Sequence, residues 1–158
     1  MIVEMKKEFL PKVDETNIKK EEEMWRLKLP ADYRAFLLET NGGIPQKNEF
    51  TYNNRKRMIE SFLCILEDTE NSEFGSYDID VVLTQIEDRL TDNEDLVGCE
   101  VLPIAELFAG DYLCMDFRKD KDSPEICIWS HEESEELDPV TYKVANTFTE
   151  FVGMLYNA

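Results

Sequence analysis

Apolar residues recur at helical spacing in four stretches of the chain. Over residues 14–27, Ile18, Glu22 and Trp25 follow one another at three- to four-residue intervals. This predicts a first helix, capped by Asp14 or Thr16 and charged around most of its circumference. In the second stretch Pro30 falls at a natural first helical position, Asp32 lies in the first turn, and Tyr33, Phe36 and Leu37 share one face. Asn41-Gly42-Gly43 ends that helix, because a glycine just past the last turn can take the left-handed backbone that closes it. Residues 76–90 return to the helical period, with Ile79, Val82, Leu83, Ile86 and Leu90 aligned. A closing helix starts at Thr147, where Thr147 and Glu150 match the S/T-x-x-E capping box and Phe148, Phe151, Val152 and Leu155 form an apolar stripe.

Between these helices the pattern shortens to strands. Residues 49–52 and 61–66 read as two strands around a basic turn, Arg55-Lys56-Arg57, and residues 100–104, 112–117 and 125–129 as three more. The last three are separated only by Gly110-Asp111 and by the polar run 119–124, so they are expected to be antiparallel neighbours. Residues 132–138 are too acidic to pack and read as an exposed loop. The expected class is α+β: one domain over residues 1–158, mainly antiparallel sheet with helices packed around it, and a loosely ordered extension over residues 1–13.

Composition sharpens this reading. Apolar residues make up 42% of the 158, enough for a packed core despite a charged fraction of 33%. The net charge of −18 is unevenly placed: residues 1–57 hold 10 acids and 12 bases, whereas residues 58–158 hold 25 acids and 5 bases. Such a field disfavours direct contact with nucleic acid or an anionic membrane, and attracts a basic protein. No apolar run approaches the roughly 20 residues of a membrane span, and the N-terminal segment mixes charges into its hydrophobics, so neither anchor nor signal peptide is expected. Cys64, Cys99, Cys114 and Cys127 sit in apolar surroundings without C-x-x-C spacing, as reduced thiols of a cytoplasmic protein do.

Candidate chemistry is sparse. His131 is the sole histidine; it precedes Glu132 and Glu133 and has no nucleophile placed near it in sequence, so a triad is not expected. A histidine-based zinc or iron site lacks its second histidine. The segment 120–123 resembles the opening of a calcium loop but lacks the central glycine and terminal glutamate. Gly42-Gly43 has neither the lysine of a phosphate-binding loop nor dinucleotide-site spacing. No catalytic residue, metal site or cofactor is assigned.

Several segments together resemble the SUKH superfamily, the Smi/Knr-type domain of fungal cell-wall assembly regulators and many bacterial proteins. Leu29-Pro30-Ala31-Asp32-Tyr33-Arg34-Ala35-Phe36-Leu37-Leu38, followed by Asn41-Gly42-Gly43, is similar to its LPxDYxxFL and NGG pattern. Leu102-Pro103-Ile104-Ala105, the run Gly110-Asp111 to Asp116, and Ile126 to Trp129 and His131 match its LPIA, GDxLxxD and W-x-H segments. Phe148 and Phe151 match its closing helix; residues 119–124 depart from the glycine-rich turn common there. The resemblance implies an α+β fold without enzymatic activity, and a role as an immunity protein that neutralises a cognate toxin, often a nuclease. A regulatory adaptor docking a signalling or cell-wall enzyme is the alternative. On this reading the motif residues are structural, and the partner surface is expected in the acidic loops: Asp78, Asp80, Asp92, Glu94 and Asp95, with Glu132, Glu133, Glu135, Glu136 and Asp138.

Overall fold

A computed structural model describes residues 3–96 and 98–157. Helix α1 (Glu15–Trp25) starts at Asp14, whose carboxylate accepts the Asn17 backbone N–H at 2.9 Å while the Asn17 side chain takes the Asp14 N–H, and ends where Arg26 turns left-handed. Helix α2 (Ala31–Thr40) follows Pro30, which occupies the cap rather than the first helical position. Helix α3 (Ile79–Ile86) is shorter than its apolar period suggests. Asp78 caps it, and tighter single turns at Gly75–Tyr77 and Glu87–Arg89 take up the rest of the periodic stretch. Helix α4 (Phe148–Val152) is one short turn-and-a-half capped by the Thr147 hydroxyl, which accepts the Glu150 N–H at 3.0 Å.

Eight strands, β1 (Met5–Glu8), β2 (Gly43–Pro45), β3 (Glu49–Tyr52), β4 (Arg55–Phe62), β5 (Val101–Leu107), β6 (Tyr112–Asp116), β7 (Glu125–Trp129) and β8 (Thr141–Ala145), pair antiparallel throughout. Their order is β1-β2-β4-β5-β6-β7-β8, with β3 folded back on the start of β4. Arg55, Lys56 and Arg57 are therefore strand residues. The turn lies one step earlier, at Asn53-Asn54, whose φ values of 50° and 62° give the twist a two-residue hairpin needs. Residues 5–8, read from sequence as part of a loose extension, form an edge strand; β8 is the other edge and carries too little alternation to be seen in sequence.

Seven of these strands form a continuous path, and all of β5 except Glu106 is buried, so both faces of the sheet centre are covered. Helix α3 packs on β5, and α4 packs on β7 and β8. Tyr33 and Phe36 of α2 meet Phe148 of α4, with ring centroids 5.1 Å apart in each pair, and Phe36 also meets Phe62 of β4 at 5.0 Å. Aromatic contacts of this geometry add to the burial of the rings themselves. Asp32 ties the same helices: Oδ2 accepts both the Thr149 N–H and its hydroxyl at 2.9 Å.

Candidate partner-binding surface

The acids singled out in the sequence do not share one environment. Asp78 is 3% exposed: Oδ2 accepts the Leu66 N–H at 2.8 Å and Oδ1 the Val81 N–H at 3.1 Å. Burial pushes its carboxyl above the ordinary range. This corrects its assignment to a contact surface, because an aspartate placed just before an apolar helical run is a cap first. Asp80, in the first turn of α3, is half-buried and accepts the Trp25 indole N–H at 2.8 Å. It also meets Glu21 of α1. Burial, the Asp80 hydrogen bond, and the charges of Asp80 and Asp78 push Glu21 up to about 9. Glu21 therefore keeps its proton at neutral pH, which lets two acids face each other across the helix seam.

The other eight acids lie on two exposed stretches, 92–95 and 132–138, and an arginine fastens the second beside the turn that leads into the first. Arg89 sits in the tight turn after α3. Its Nε and Nη2 donate to the Ser134 carbonyl at 3.2 and 2.9 Å, and Nη2 also donates to the His131 carbonyl. The Leu137 N–H adds a bond to the Asp88 carbonyl at 2.6 Å. The acidic loop 132–138 is thus fastened beside the turn that leads into 91–95. Asp92, Glu94, Asp95, Glu132, Glu133, Glu135, Glu136 and Asp138 are all exposed. Glu133 is partly occupied by the Tyr142 hydroxyl, which donates to it at 2.6 to 2.7 Å. Sequence reasoning passed over Arg89, although its isolation was a signal: it is the only base among residues 58–117.

The remaining bases of the acidic part do little to neutralise this surface. Arg118 forks onto Asp116 through bonds of 2.9 and 2.8 Å, and its pull outweighs burial to hold that carboxyl below its usual range. Lys119 and Lys143 both reach Glu125. A dense run of acids beside a base already committed to backbone carbonyls leaves a negative, solvated surface of the kind that steers a cationic partner.

Reactive chemistry has no comparable frame. The His131 backbone N–H donates to Asp111 at 2.8 Å, and the ring Nδ1 lies 3.4 Å from Arg89. Asp111 also takes Arg57 at 2.7 Å, so this motif aspartate ties β4 to the end of β7. Burial pushes Cys64 and Cys99 up to about 12, which keeps both as thiols at neutral pH. Among the described residues no group of three or more histidines, cysteines, aspartates or glutamates is arranged to hold a metal ion, and no helix is long and apolar enough to cross a membrane.

The SUKH_6 family model, described as SMI1-KNR4 cell-wall, matches residues 15–152. The chain belongs to the SUKH family. The match takes in all four helices and every strand except β1, so the edge strand Met5–Glu8 stands outside the family's span. No curated protein and no solved structure gives a significant match. The family is generally non-enzymatic, and within this SUKH domain the motif aspartates Asp32 and Asp111 each tie separate elements together, while Asp116 holds Arg118, which in turn donates to Thr141 of β8.

Proposed function

We propose that this SUKH domain acts by binding, as an immunity protein that covers a basic toxin domain in the cytoplasm of the cell that makes it. The observation that carries the reading is the Arg89 fastening of loop 132–138, with its five exposed acids, beside the turn leading to the exposed Asp92, Glu94 and Asp95. A toxin that attacks nucleic acid carries a cationic surface, because it must approach phosphate. An acidic inhibitor engages that surface quickly and competes directly with the substrate. Family membership supports a binding role, since SUKH domains are often immunity proteins. A second reading, an adaptor for a cell-wall enzyme, draws on the family description alone.

The test begins in the adjoining reading frame. The product expected there is a large secreted protein ending in a small toxin domain. Expression of that domain should arrest growth, and co-expression of this chain should restore it. A neighbouring frame without such a domain, or a toxin whose arrest this chain leaves unchanged, overturns the immunity reading and favours the adaptor.

A further inference from the structure

A groove of about 310 Å³ opens between the end of α1, the outer face of α3 and the segment leading into β5. Its floor is apolar, formed by Trp25, Leu83, Leu90 and Val101, all of them buried. Two large apolar side chains stand at its mouth in solvent: Met24 is 59% exposed and Leu96 40%. Three carboxylates, Asp80, Glu87 and Glu100, also line it. Among the described residues none of the three has a lysine or arginine within ion-pair distance. Their charges converge on one point: the Cys99 thiol, which burial first of all holds protonated, is pushed further by Asp80, Glu100 and Glu87 together. The stem of Arg26 runs along Gly98 beside the groove.

This combination selects its occupant. Apolar walls with solvated methionine and leucine lips favour a large apolar side chain, since closing the groove removes all of that surface from water. Carboxylates without cations at the same opening favour positive charge around that side chain. A second copy of this chain is a poor occupant, because each copy carries −18. We infer that the groove between α1 and α3 receives a segment of the partner protein in which a large apolar side chain is flanked by lysines or arginines, the apolar group entering between Met24 and Leu96 and the cations meeting Glu87 and Glu100. The inference rests on the reading that the chain works by holding a basic protein, and it adds an anchoring pocket to the steering surface. Loop charge governs approach, whereas a filled pocket governs how long the complex lasts.

The experiment uses the intact chain and two synthetic peptides: a leucine pair flanked by lysines, and the same peptide with glutamates. The Trp25 indole N–H is the reporter, since it donates to Asp80 at the groove wall while the other indole, Trp129, bonds the Arg89 carbonyl elsewhere. The lysine peptide should shift the Trp25 resonance and leave that of Trp129 in place, and the glutamate peptide should shift neither. Changing Met24→Asn with Leu96→Asn should weaken the lysine peptide at least tenfold. Glu87→Gln with Glu100→Gln should weaken it similarly and flatten its salt dependence. An unmoved Trp25 resonance, or unchanged affinity in the double asparagine variant, overturns the inference. So does a cognate toxin that the double asparagine variant neutralises as well as the parent chain. If the parent chain neutralises no toxin, the immunity reading fails while the peptide titration still decides the groove.

Discussion

Arg89 and Trp129 hold each other from both ends: the guanidinium lies 5.1 Å above the indole ring, and the indole N–H donates to the Arg89 carbonyl at 2.8 Å. The ring fixes the arginine, and the fixed arginine reaches the carbonyls of His131 and Ser134. Arg89→Ala should therefore cost about 2 to 3 kcal/mol in urea unfolding, the scale of charge-assisted hydrogen bonds lost at a partly buried site. Amide exchange over residues 130–138 should rise more than in the sheet. Arg89→Lys should not restore the loop, because an ammonium lacks the planar fork that serves two carbonyls. Full protection in the alanine variant would show that the loop holds itself.

Asn41 gives a second test, of a residue whose part in the fold exceeds its place in a motif. It is fully buried; its amide donates to the Pro11 and Ile65 carbonyls at 2.8 and 2.9 Å and accepts the Ile65 N–H at 2.9 Å. Asn41→Ala should cost about 2 to 4 kcal/mol, since it leaves three backbone groups without a partner. Asn41→Gly separates the two roles. Glycine suits the left-handed backbone at φ 46°, so a helix stop alone would survive the change, whereas the buried tie predicts nearly the alanine cost. Guanidinium denaturation of both variants decides between them.

The contrast between Asn41 and its glycine neighbours shows what sequence could and could not reveal. The helix end was legible because Gly42 and Gly43 answer a local demand for positive φ. A Cβ on Gly43 would run into the Lys7 carbonyl oxygen, a contact with β1 that no local pattern announces. The β6–β7 hairpin was legible because both strands are apolar and a polar run separates them. Strands β1 and β8 were not, because none of their residues except Ala145 is buried, so neither carries the apolar alternation of a half-buried strand. Among the acids, exposure on the two loops followed from charge density. The burial of Asp78 followed from its position one residue before Ile79, which outweighs charge when a helix must start there.

Glu21, half-buried against Asp80, gives the chain a pH dependence of definite sign. Glu21 titrates near 4.5 when unfolded and about 9 when folded, so between those values the folded chain binds more proton than the unfolded one. Stability contributed by the protonated carboxyl is then complete below pH 4.5 and declines as pH rises toward 9. Asp78, also raised by burial, acts in the same direction, whereas the Lys20 charge opposes the shift of Glu21. Glu21→Gln keeps a donor for Asp80 and removes the titration. It should be more stable than the parent by about 1 to 2 kcal/mol at pH 9, an allowance reduced for partial solvent access, and nearly equal at pH 5. Thermal melts of the two chains across that range should diverge; parallel curves would show that the fold does not hold Glu21 protonated.

The association rate with a basic partner tests the steering surface directly. Residues 58–158 hold 25 acids against 5 bases, and the exposed loops present that charge well outside the core. Raising ionic strength from 0.01 M to 0.15 M shortens the screening length from about 30 Å to about 8 Å, so the association rate should fall steeply while dissociation changes little. Glu132, Glu133, Glu135 and Glu136 changed to Gln together with Asp138→Asn should flatten that dependence. The amides retain an acceptor for the Tyr142 hydroxyl at position 133, and Arg89 binds only backbone carbonyls of the loop, so the fold should stand. Stopped-flow kinetics with the toxin domain at several salt concentrations, and a thermal melt of the five-site variant as control, give the measurement. A salt-insensitive rate in the parent chain would remove electrostatic steering and leave apolar contact to account for binding. A salt slope that the five changes leave untouched, in a variant that melts normally, would move the steering charge away from residues 132–138, toward Asp92, Glu94 and Asp95.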